Sequence, residues 1–157
     1  MKDKSYLSVL IVLIAAIGFV EMAWAAPDGS QRLRGLGGRV FLVEVEVLFA
    51  EDGFGIPPVG SFFSNCYFFN SDGTWLDPAF PRPGEAVAGN WIQHSNGAKT
   101  AYTASVDVGV LLWQEGTVTP AKGQGVLQLE AFTTVLFGDF VLGEFASVGQ
   151  EVDECPL

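Results

Sequence analysis

From Arg39 the chain reads RVFLVEVEVLF, and apolar and polar positions alternate with a period of two. Phe41, Val43, Val45, Val47 and Phe49 fall on one side, Glu44 and Glu46 on the other. A helical reading would scatter these residues around a cylinder, and so many β-branched side chains disfavour it. The spacing therefore predicts a strand with one wet face. Similar segments recur near residues 61–70, 74–77, 89–95, 99–107, 109–115, 125–137 and 140–148. The stretches between them, EDGFGIPP, NSDG, PRPGE, SNGAK and AKGQG, are rich in turn-forming residues. No apolar stripe at helical spacing runs ten residues after the first 25, which excludes crossover helices and a parallel sheet.

About eight short strands with hairpin-length links predict an all-β, antiparallel, up-and-down eight-stranded barrel, because closure removes the exposed edges of so long a sheet. A β-sandwich is the alternative. At the turn in CYFFNSDGTWLDP, Asp72 and Gly73 are expected to supply the positive φ angles of a tight hairpin, and alternation sends Trp75 and Asp77 to one face. Trp91 and Ile92 point oppositely on the next strand, where the Trp91 indole is placed to cover one end of the barrel.

The beginning of the chain has a different pattern. Lys2 and Lys4 precede an uncharged run from Leu7 to Val20, and Ala23-Trp24-Ala25 then offers small residues at both positions read by a signal peptidase. A cleaved signal peptide over 1–25 is expected, with a retained anchor the alternative, since the run is short for a membrane span. Residues 26–38 are expected to be a flexible, glycine-rich arm and 39–157 a single barrel domain. Export implies an oxidising compartment, secreted or periplasmic, where the two cysteines, Cys66 and Cys155, are expected to form one disulfide.

The net charge is −10, and removing residues 1–25 leaves it unchanged because two basic and two acidic residues go together. Such a charge repels nucleic acid and anionic lipid surfaces. The chain holds no G-x-S-x-G nucleophile motif. His94 is the sole histidine and sits at a turn, without an identifiable orienting partner for base catalysis. Glu44 and Glu46 share a face at strand spacing and would carry a carboxylate-based hydrolase only if that face turned inward. Glu51-Asp52 and the Glu151, Asp153, Glu154 tail lack the spacing of a calcium loop, and GLGG at 35–38 lacks the residues of a phosphate loop. No cofactor, metal or catalytic set is therefore expected, and the reading leans away from an enzyme. The longest irregular connection, DPAFPRPGEA, with Arg82 at its centre, is the candidate functional loop.

The segment Phe68-Phe69-Asn70-Ser71-Asp72-Gly73-Thr74-Trp75, followed by Gly89-Asn90-Trp91, resembles the F-x-x-DGTW and G-x-W arrangement of small exported bacterial lipocalin-like (calycin-type) barrels. The matched stretch covers residues 62–107. It departs from that pattern in that G-x-W lies mid-chain and no terminal helix follows. The resemblance implies an eight-stranded barrel whose interior holds one small apolar ligand. Thirteen phenylalanines, four tryptophans and three tyrosines add an aromatic load suited to such a lumen, with Trp75, Trp91, Tyr102 and Trp113 as candidate lining. The alternative is a structural or protein-interaction module with a side-chain-filled barrel, meeting an exported partner through a patch of Phe132, Leu136 and Phe140.

Overall fold

The computed structural model describes residues 35–80, 87–94, 99–122 and 125–156. They form eight strands: β1 (Arg39–Ala50), β2 (Phe62–Phe69), β3 (Thr74–Leu76), β4 (Gly89–Gln93), β5 (Thr100–Asp107), β6 (Leu111–Pro120), β7 (Leu127–Phe137) and β8 (Phe140–Val152). Each strand pairs antiparallel with the next, and β8 returns to β1 to close the barrel. This is the up-and-down architecture expected from the short links, and no helix occurs among the described residues. The expected signal segment and most of the expected arm lie outside them.

The period-two pattern is realised as inside and outside. Phe41, Val43, Val45 and Val47 are buried, and Glu44 faces solvent. Phe49 departs from the expected alternation. The β1–β8 register slips between Val47 and Phe49, so Val47 pairs with Phe145 and Phe49 with Glu144. A bulge of this kind inserts one residue and reverses which face the following side chains occupy, leaving Phe49 on the outer surface.

Two strands run further than their patterns suggested, β6 through Gly116 and β8 through Gly149. The expected ranges stop just before these two glycines, yet each marks a close approach. A Cβ on Gly116 would lie 2.5 Å from the Tyr102 ring, and one on Gly149 would collide with the Leu42 carbonyl and Val43. The hairpin at 70–73 also differs from expectation. Gly73 alone has positive φ (87°), and Asp72 instead caps the turn, its Oδ1 accepting from Thr74 N (2.9 Å) and Oγ1 (2.7 Å).

The two ends of the barrel are unlike. At the end holding the start of β1, Leu36 is fully buried as a plug, its N–H donating to Gln93 Oε1 at 3.2 Å. Gly35–Gly38, read as the end of an arm, is thus folded onto the domain. Phe69 packs edge-on against Phe41, Trp91 and Tyr102 with centroids 4.9–5.8 Å apart, and Trp91 Nε1 donates to Asn70 O at 3.1 Å. Arg39 straps this end, pairing with Glu151 and donating to Gly35 O at 2.9 Å. Cys66 and Cys155 form the expected disulfide across 89 residues, with Cα atoms 6.1 Å apart. It holds the segment after β8 against the outside of β2.

Candidate functional site

The barrel interior is packed towards one end and open towards the other. At mid-height a belt of inward polar groups satisfies itself. Tyr67 Oη lies 2.8 Å from Ser147 Oγ, Tyr102 Oη donates to Gln114 Oε1 (2.8 Å), and Gln114 Nε2 donates to Thr133 Oγ1 (3.0 Å). Below the belt the aromatic groups of the plugged end pack solidly. Above it, towards the opposite end, lies an open cavity of about 1390 Å³ that reaches both faces of β2, from Phe63, Asn65 and Tyr67 to Ser64, Cys66 and Phe68. This exceeds the 300–1,000 Å³ typical of small-molecule sites.

The cavity has a local cause in β3, which is only three residues long. Just Phe68 and Phe69 of β2 pair with it, and just Thr74 and Trp75 of β3 pair with β4. The wall therefore parts beside the upper half of β2. Asp77, Pro78, Ala79 and Phe80 leave the sheet to line the gap, and the Cys66–Cys155 bridge borders it. Val45, Phe63, Leu112, Val135, Leu142 and Phe145 supply the inner apolar wall. Phe54, Val87 and Val108, from three connections at that end, both line the cavity and stand exposed at its rim, so the apolar lining continues to the surface.

Asp77 is the one charged residue among the described lining. Alternation carries it inward two residues after Trp75, and it is only 6% exposed. Its Oδ1 accepts from Asn65 Nδ2 at 2.6 Å and from Ala79 N at 2.9 Å, while Phe80 N donates to the Asp77 carbonyl at 3.1 Å. Burial pushes the carboxyl up to about 6, against the opposing pull of Asn65 and of the Ala79 and Phe80 backbone. The Tyr67 phenol is raised well above its usual value, first by burial and then by the Asp77 charge. Asp77 is the residue that the aromatic emphasis of the sequence overlooked. The signal was present, since a carboxylate sharing a face with a core tryptophan must find a partner indoors.

The four proposed lining residues lie elsewhere. Trp75 and Tyr102 are fully buried in the packed interior, with Trp75 tilted against Tyr67 at 5.7 Å. Trp91 belongs to the plugged end. Trp113 is on the outer wall, 40% exposed, its Nε1 donating to Glu115 Oε1 at 3.1 Å, because Leu112 and Gln114 take the inward positions of β6. None of the four borders the cavity. Large rings fill a small barrel where they point inward, and space remains where aliphatic side chains replace them. Arg82 lies outside the described residues. His94 is exposed, 2.9 Å from Thr103 Oγ1, and Glu44 and Glu46 are on the outer face of β1, so neither the histidine nor the two glutamates meet the cavity. Among the described residues no group of three or more metal-ligating side chains occurs.

The closed antiparallel barrel is compatible with the calycin-like architecture that the 62–107 stretch implied. No protein-family model, curated protein or solved structure matches the chain. The geometry of the cavity therefore carries the functional argument.

Proposed function

We propose that this protein is an exported, non-enzymatic lipocalin-like barrel that binds a small apolar ligand in the cavity above the polar belt. The observation that carries the reading is the cavity itself, about 1390 Å³ with a chiefly apolar lining continuous with an apolar rim. Burial of an acyl- or aryl-sized ligand there would contribute roughly 25 cal/mol per Å² of apolar surface removed from water. In this reading residues 1–25 are a signal peptide, 39–157 form the ligand-binding domain, and the Cys66–Cys155 bridge suits an oxidising compartment.

Titration with N-phenyl-1-naphthylamine tests it, since this probe brightens on leaving water. The expected result is saturable uptake by the wild type and loss of uptake by Val110→Trp, which fills the mouth, with thermal stability retained. Absence of uptake by the wild type would remove the reading.

A second reading, an interaction module, rests on the β7–β8 hairpin. Its tip, Phe137-Gly138-Asp139-Phe140, exposes both phenylalanines, Phe140 by 73%. Phe132 is also exposed, whereas Leu136 is only half-buried, so the expected patch is split between hairpin tip and outer wall. Sedimentation over a concentration series tests it: a strict monomer without a copurifying protein would count against it.

A further inference from the structure

We infer that the cavity selects an amphiphile with a cationic head, an alkylammonium-type ligand whose nitrogen pairs with Asp77 while its tail lies along Val45, Phe63, Val135, Leu142 and Phe145. The inference rests on the cavity-binding reading and deepens it.

Three observations converge. Asp77 is the single charged residue among the described lining, in a wall otherwise made of apolar side chains and the neutral polar groups of Ser64, Asn65, Tyr67 and Thr133. It is positioned before any ligand arrives, because Asn65 Nδ2 and Ala79 N both donate to the same oxygen. A carboxylate so enclosed is costly without a cation, and a ligand that brings one recovers that cost while an anionic head adds to it.

The described basic residues are also confined to one end of the barrel, while acids occur at both. The described basic residues, Arg39, Lys99 and Lys122, all belong to the plugged end: Arg39 begins β1, Lys99 precedes β5, and Lys122 follows β6. The cavity end instead carries Glu51 and Asp52 after β1, Asp107 closing β5, and Asp139 in the β7–β8 hairpin. Four acids with no described base at that end favour the approach of cations over fatty carboxylates. Among the described residues, Asn65 donates to Asp77 and the Tyr67 phenol feels its charge; both are on β2 and neither is a cation.

The test holds the tail constant and changes the head. Dodecylamine, dodecanol and dodecanoate, each below its micelle concentration, are compared for displacement of N-phenyl-1-naphthylamine at pH 7.5. The amine is expected to displace at a concentration at least about tenfold lower than dodecanoate, the low end of what a close buried charge pair contributes. Asp77→Asn is expected to erase that preference while keeping dodecanol binding. In the wild type, dodecyltrimethylammonium, whose charge does not titrate, should bind several-fold more weakly at pH 5 than at pH 7.5. This arm stands even if the variant fails to fold.

Equal displacement by all three heads, or a preference that persists in Asp77→Asn, would overturn the inference and leave the apolar cavity reading intact. Failure of the probe itself to enter would remove both.

Discussion

Asn65 Nδ2 lies 2.6 Å from Asp77 Oδ1, joining β2 to the segment after β3 where the barrel wall is narrowest. The pair ties the loop bearing Phe80 to the barrel in place of the ladder that β3 is too short to provide.

Stability should report the Asp77 proton. A carboxyl whose folded value, about 6, lies above its unfolded value near 3.8 binds its proton more tightly in the native state. Its effect therefore favours folding at low pH, and that advantage is lost as pH rises from about 4 to about 6. Asp77→Asn removes the dependence. The variant should be more stable than wild type at pH 7.5 by up to roughly 3 kcal/mol, a difference that shrinks to about 0.5 kcal/mol near pH 4. Denaturant titrations of both proteins at the two pH values measure it, and a difference that does not change with pH would refute the assignment.

The disulfide should dominate resistance to unfolding. Opening a loop closed across 89 residues costs roughly 4–5 kcal/mol in the chain-entropy account. Urea midpoints of the oxidised protein and of Cys66→Ser/Cys155→Ser should differ accordingly. The cavity should also loosen, because both half-cystines border it.

Thr100 is fully buried and its Oγ1 finds no hydrogen-bond partner. Thr100→Val keeps the shape and deletes the unmet group, so it should stabilise by about 1 kcal/mol. Thermal unfolding reads the sign, and a loss of stability would show that the hydroxyl is satisfied after all.

Gly116 and Tyr102 form a matched pair across β5 and β6. The ring occupies the volume a side chain would need and is held in place by its bond to Gln114. Gly116→Ala should cost about 1–3 kcal/mol, in the range of an overpacked core. Combining it with Tyr102→Leu should recover part of that loss, which a double-mutant cycle measures.

Trp113 should dominate quenching by iodide, as the tryptophan of the outer wall. Trp113→Phe should remove most of the accessible fluorescence and leave probe uptake unchanged. Altered uptake would mean that the ligand sits on the outer surface.

Much of the fold was legible locally. Alternation in β1 identified its inner face from Phe41 to Val47, and turn-rich stretches marked five of the seven connections. The cysteine pair followed from counting. Phe49 was not legible, because the bulge that turns it outward arises from the pairing of β1 with β8, almost a hundred residues away. Gly116 and Gly149 misled for a similar reason: a glycine that ends a strand and one that admits a neighbour look alike until the neighbour is known.

The site was less legible than the fold. Aromatic content suggested a lumen, but which of Trp75, Tyr102 and Trp113 fill it, plug it or leave it depends on strand phase and depth. The sequence by itself determined the strands and their order of hairpins, since period-two patterning and turns follow from neighbours in the chain, and its composition determined the acidic charge. Only the tertiary structure decided that the barrel is packed at one end and hollow at the other. Depth along the axis is set by register between distant strands, and the three-residue β3 opens the wall where Asp77 turns inward.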